Sequence, residues 1–319
     1  MGAASRVTRR GWFARVLQAL AAGRLALSHG RAAIFEVDGP APRPAPAGGK
    51  AHFQRYRVQA AVSLFGVPVI WKDGVGAACL LVEEAASGAA TAIQFVSGSW
   101  PDRLKGFNRF GMTQEVVLEE NGSVRESGYI SFMTSSPEKN SDQAYRAFTE
   151  RPRMLTLAVA CGLASPSGYR WSLEHPSIAP EATWLDGPSL MEKFRGQEVA
   201  LHDGALPSRD RVYPTFLHSV RKTILRRSSE RCTFIHNAKL YDLHPRFSES
   251  GGSALLTGRI AEQGASGESE FRVWFDASDP AALPSKIEFR PKSFLHLTFH
   301  QDPAAGGPSF RRLIIHEDA

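Results

Sequence analysis

The sequence predicts a mainly β protein, with antiparallel curved sheets or an open barrel and one or two packed helices. Three observations carry that prediction. Apolar and polar residues alternate at period two through much of the chain after His52. Turn-forming residues such as Asn121-Gly122 separate consecutive alternating runs, the strongest short-range sign of a hairpin. Only Tyr213 to Arg227 holds a long, clear 3.6-residue apolar spacing.

Residues 1–50 read as a basic arm. They have no acidic residue before Glu36, start with Arg9-Arg10, and continue into GWFARVLQALAAG. This resembles an export signal with a small-x-small cleavage site at Gly30-Arg31-Ala32, although Arg15 and Arg24 interrupt its apolar part. The expectation is a periplasmic or exported protein, with a cytoplasmic one as the alternative. GPAPRPAPAGG at 39–49 follows as a linker with too little apolar surface to fold. The formal net charge is +6, and the first fifty residues account for it with eight Lys/Arg against Glu36 and Asp38. The other residues hold thirty charges of each sign, so no nucleic-acid partner is expected.

The 319-residue chain has 43% hydrophobic and 22% charged residues, which are globular values. No apolar run reaches the ~18 residues of a membrane-crossing helix, so no membrane span is expected. Cys79, Cys161 and Cys232 have no metal-ligand spacing.

From 51 to 175 the pattern predicts an N-terminal antiparallel region. Tyr56, Val58, Ala60, Val62 and Leu64 share one strand face, and Lys72-Asp73-Gly74 reads as the turn into Val75–Glu84. Ala92–Val96, Met112–Glu120 and Val124–Met133 continue the meander. A short helix from Asp142 to about Thr149, capped by Ser141, precedes two strands within 154–175. Residues 176–230 read as an irregular and helical connection, with one short helix at 189–195 and the amphipathic helix from Tyr213. The basic residues Arg221, Lys222, Arg226 and Arg227 read as its solvated face, favoured by the helix dipole, with an anion- or membrane-binding patch as the alternative. Residues 231–319 return to hairpins, with Phe271, Val273 and Phe275 on one face, Glu288 opposite a neighbouring Arg, and a last strand at 310–316. The two β regions are expected to share one sheet system.

The stretch from Phe95 to Glu120, FVSGSWPDRLKGFNRFGMTQEVVLEE, concentrates residues with special backbone properties. Trp100 must be extended or turn-like before Pro101. Trp100, Arg103, Asn108, Arg109 and Glu115 are its candidate ligand contacts; a loop pinned over one sheet end by its own side chains is the competing reading. Glu115 and Glu119 share a strand face and look outward-facing. No nucleotide-binding glycine loop, zinc-protease helix or nucleophile elbow is present. His296 and His300, with His236 and His244 nearby, lack an acidic ligand, so no metal and no cofactor are expected. No catalytic set is identified.

SGSWPDRLKGFNRFGMTQEV, SFMTSSPEK and FRVWFD…LPSKIEFRPKSFLHLTF resemble uncharacterised β-rich bacterial proteins, with a C-terminal pattern similar to lipoprotein-carrier-like half-barrels. That resemblance implies an exported half-barrel and transfers no catalytic residue. The expected function is non-catalytic binding or carriage of an apolar or lipid-like envelope component. A structural or interaction protein of the envelope is the first alternative, and a hydrolase using the 98–115 loop the second. Oligomeric state is open.

Overall fold

The computed structural model describes residues 50–64, 67–85, 88–104, 109–135, 138–140, 143, 153–165, 168–174, 212–236, 239–292 and 294–303. Thirteen strands form one antiparallel sheet: β1 (Lys50–Leu64), β2 (Val67–Glu84), β3 (Ala90–Ser99), β4 (Arg109–Glu120), β5 (Ser123–Ser135), β6 (Arg153–Ser165), β7 (Gly168–Glu174), β8 (Cys232–His236), β9 (Lys239–Ser250), β10 (Ser253–Glu262), β11 (Glu268–Asp276), β12 (Pro284–Lys292) and β13 (Leu295–Gln301). The spatial order is β7-β6-β5-β4-β3-β2-β1-β13-β12-β11-β10-β9-β8. Two meanders are therefore joined by one long-range ladder, in which Tyr56 opposes Gln301 and Val62 opposes Leu295.

Register explains the core. Val58, Phe299, Ile287, Val273, Leu256 and Phe247 are successive cross-strand partners from β1 to β9, so one apolar row crosses six strands. Leu243 and Leu256 are wholly buried in this half of the sheet. A neighbouring cluster unites Tyr56, Val58, Leu80, Val82, Ile93 and Phe299. Each fully buried aliphatic or aromatic side chain contributes about 1.5–3 kcal/mol by leaving water.

The sheet curls so that Val212–Thr215 lies between β8, at one edge, and β5, third from the other edge. This extended segment bonds to β8, with the Ile235 amide donating to the Pro214 carbonyl at 3.0 Å and Thr215 bridging Ile235 in parallel. Its other side meets β5, whose Ser127 hydroxyl donates to the Tyr213 carbonyl at 3.0 Å. Val212, Tyr213 and Ile235 pack there with Val124 and Leu240, from strands far apart in the sheet order.

Helix α1 (Phe216–Arg226) starts where that segment ends and lies against the concave face. Phe216 meets Phe234 and Phe271 at ring separations of 5.2 and 5.8 Å, and Ile224 joins the same cluster. Leu217 packs instead against the Tyr56 cluster. The helix thus joins the apolar surfaces of both meanders.

Several local expectations change. Tyr213 and Pro214 are extended, because pairing with β8 takes the backbone groups that helix would use, so the helix begins at Phe216. Lys72-Asp73-Gly74 is no chain reversal: β2 runs on to Val67, and the register shifts opposite Val58–Ala60, with Gly74 at a φ of +61° accommodating the bulge. Asn121 and Gly122 do form a hairpin turn, both with positive φ. Phe271, Val273 and Phe275 are buried together, and Arg272 stands 3.9 Å from Glu288. The basic arm apart from Lys50, which opens β1, the helix at 142–149 apart from Gln143, residues 176–207 with their expected helix at 189–195, and the strand at 310–316 lie outside the described residues.

Candidate functional site

Helix α1 begins without a local cap. Thr215 occupies the N-cap position but makes no side-chain cap bond, and the first turn contains no acidic residue. The first amides of a helix need acceptors, and the dipole favours negative charge beside them. Glu115, from the middle of β4, supplies both. Its Oε2 accepts the His218 amide at 2.9 Å and the Thr215 hydroxyl at 2.5 Å, and the Phe216 and Leu217 amides also stabilise its charge. Glu115 is 1% exposed, beside Ile93 on β3. Burial outweighs these donors and pushes its carboxyl up to about 7. The outward orientation read from the sequence is therefore corrected: this face of β4 lies beneath the helix.

One turn further along, His218, Arg221, Lys222 and Leu225 form a stripe at helical spacing and face the ends of β1, β2 and β4. Arg221 donates to the Ala281 carbonyl at 2.6 Å and to Glu84 at 2.5 Å. Lys222 bonds Glu119, and His218 Nε2 stands 3.4 Å from the same carboxylate. The His218 ring and the Lys222 ammonium hold Glu119 down at about 2, against a smaller upward push from burial. Arg227 reaches Glu249 at 2.8 Å and the Ala277 carbonyl at 2.6 Å. Arg221 and Lys222 therefore do not join the freely solvated face expected of them, with only 10% of the Arg221 side chain exposed, whereas Arg226 and Arg227 are exposed as expected. The sheet's acids face the helix and draw Arg221 and Lys222 in.

Between these groups lies a pocket of about 460 Å³ lined by both charged and small residues. Lys50, Glu84 and Thr91 enter it from one cross-strand row, because Glu84 opposes Lys50 on β1 and Thr91 on β3. Glu119, His218, Arg221, Lys222 and Arg226 complete its polar wall, with Ala85 and Leu225 as apolar contacts. Leu225 is 47% exposed. The His218 side chain is 8% exposed; its Nε2 faces Glu119 at 3.4 Å, and its Nδ1 has no hydrogen-bond partner among the described residues.

The five sequence candidates do not converge. Trp100, Arg103 and Arg109 gather at the far end of β3. There the Trp100 amide donates to the Val75 carbonyl at 2.7 Å, and the Trp100 carbonyl accepts the amides of Arg103 and Leu104 at 2.9 Å. Lys72 bonds the Arg103 carbonyl, and the Arg109 amide donates to Ser99 Oγ at 2.8 Å. These contacts pin the connection to the sheet. Asn108 lies outside the described residues. Glu115, six residues along β4, is about 20 Å from Arg109 at strand rise. The pocket's own residues carry one signal in the sequence: the polar stripe at 218, 221 and 222 on the only clear amphipathic helix. Among the described residues, no three His, Cys, Asp or Glu side chains form a metal-binding group. No helix among them is long and apolar enough to cross a membrane.

No family model matches the chain, and no curated protein matches it. Among solved structures it is similar to a beta-barrel-like protein of a domain of unknown function, DUF1849, from Brucella abortus. The match has 7% sequence identity and a TM-score of 0.49, and covers 79% of this chain and 95% of that one.

Proposed function

We propose that the protein is a non-catalytic binding or carrier protein for an apolar or lipid-like component of the cell envelope. The observation that carries this reading is the position of α1. One eleven-residue helix joins two apolar clusters on the concave face of a single sheet, and its polar side opens onto a pocket. The pocket volume lies within the ~300–1,000 Å³ common for small-molecule sites. Glu115 has a raised pKa, but the helix start occupies its Oε2 and it does not line the pocket, so it positions the helix. Native mass spectrometry of gently purified protein tests the reading. Co-purifying acyl species, displaced by a fluorescent fatty acid, are expected; protein that is free of ligand and binds no amphiphile refutes it.

One observation favours a second reading, that of an interaction protein. Val69, Ile70 and Trp71 are consecutive on β2 and 54%, 39% and 63% exposed, so both faces of that strand segment meet solvent. β3 pairs with β2 only from Gly76 onward. Trp71→Ser is expected to leave thermal stability nearly unchanged, because exposed substitutions usually shift it by less than ~0.5 kcal/mol. A loss of self-association in analytical ultracentrifugation would support the interaction role, and unchanged sedimentation would count against it.

A further inference from the structure

We propose that the pocket between α1 and the ends of β1 to β4 binds the phosphate head of an acidic amphiphile; this rests on the lipid-binding reading above. Charge is the first argument. Lys50, Arg221, Lys222 and Arg226 line the pocket, and only Glu84 and Glu119 oppose them. Arg221 and Lys222 are matched by those two carboxylates. Lys50 and Arg226 form no ion pair among the described residues, which leaves two positive charges over a confined space. A phosphomonoester close to its dianionic form supplies two negative charges and acceptor oxygens in several directions.

His218 is the second, independent argument. A buried polar atom without a partner costs roughly 1–3 kcal/mol, and such atoms often mark the place of a missing ligand or water. The His218 ring is more than nine-tenths buried and lines the pocket; its Nε2 faces Glu119, while its Nδ1 has no hydrogen-bond partner among the described residues. An oxyanion accepting from Nδ1 would satisfy a group that the fold alone leaves without a partner.

Leu225 is the third. This large apolar side chain stands 47% exposed on the same helix stripe as Arg221 and Lys222, and Ala85 also lines the pocket. A ligand with an apolar portion beside its phosphate would cover Leu225; inorganic phosphate would leave it wet. The inferred class is therefore a phosphate-headed, single- or double-chain amphiphile.

The test uses the full chain and lysophosphatidic acid below its micelle concentration, with lysophosphatidylcholine and inorganic phosphate as comparison probes, each titrated by calorimetry. Lysophosphatidic acid is expected to bind at least tenfold more tightly than lysophosphatidylcholine. The double variant Lys50→Gln/Arg226→Gln should lose at least tenfold in affinity while keeping the wild-type melting temperature, since neither side chain makes an ion pair among the described residues. His218→Gln should weaken binding of lysophosphatidic acid and leave that of lysophosphatidylcholine unchanged. Equal binding of both lipids, unaffected by the double variant, overturns the head-group site and leaves the lipid-binding reading standing. Pocket-dependent binding of inorganic phosphate with no binding of either lipid overturns the amphiphile and that reading together. No binding of any probe also overturns the proposal.

Discussion

Glu115→Gln isolates the physical effect on which helix docking depends. Glutamine keeps the side-chain shape and one acceptor oxygen for the Thr215 hydroxyl and the helix amides, but it cannot ionise. Burial raises the Glu115 carboxyl from 4.5 to about 7, so the folded protein holds this proton more tightly than the unfolded chain does. Ionisation then lowers stability as pH rises from about 4.5 to about 7, and the loss is complete above that window. At ~1.4 kcal/mol per pKa unit, a rise of this size corresponds to a loss on the order of 3 kcal/mol. Urea unfolding at half-unit steps from pH 5 to pH 8, followed by tryptophan fluorescence, measures it. The wild-type stability minus that of the variant should fall with pH across the window and level off above it. A constant difference from pH 5 to pH 8 would show that Glu115 is not held protonated by burial, and the account of the helix start would fail.

Thr215→Val keeps the volume and removes the hydroxyl that Glu115 accepts at 2.5 Å. It should cost about 1–3 kcal/mol and move the Glu115 transition to higher pH; an unshifted transition would contradict the assigned bond. Glu119 acts with the opposite sign: held down at about 2, it contributes stability that disappears as pH falls from about 4.5 toward 2. Glu119→Gln should flatten the acid limb of the stability profile, and an unchanged limb would remove Glu119 from the pairing. Gly258→Ala would place a Cβ 2.2 Å from the Phe271 ring, which also packs on Phe216 of the helix. Overpacking there should destabilise the protein by about 1–3 kcal/mol, read as a lowered midpoint in thermal unfolding.

Much of the strand pattern was legible because side chains alternate across a pleated backbone whatever the tertiary fold. Phe271, Val273 and Phe275 announced their buried face, and Asn121-Gly122 announced its turn. Alternation carries no information where both faces of a strand are covered. On β4, Gln114 and Val116 are buried on one side and Glu115 and Val117 on the other, so polarity does not distinguish inside from outside. Glu115 therefore read as an outward residue. The start of the helix was misplaced for a related reason: Tyr213 and Pro214 suit a first turn locally, but pairing to Ile235 keeps them extended. The loop at 98–115 drew attention through its glycines and proline. Those residues serve the geometry of the connection, while the pocket formed elsewhere.

The sequence by itself determined the class of the fold, most strand positions, and one amphipathic helix with basic residues at 221, 222, 226 and 227. Only the tertiary structure decided what those residues face. Pairing of β1 with β13 joins chain segments more than two hundred residues apart and brings Glu84, Ala281 and Arg221 together. The physical reason is one of range. Periodicity reports the surroundings of a residue within a few positions along the chain. The charge on a buried carboxylate, and the pocket beside it, depend on partners that meet only after the sheet has curled and the helix has settled against it.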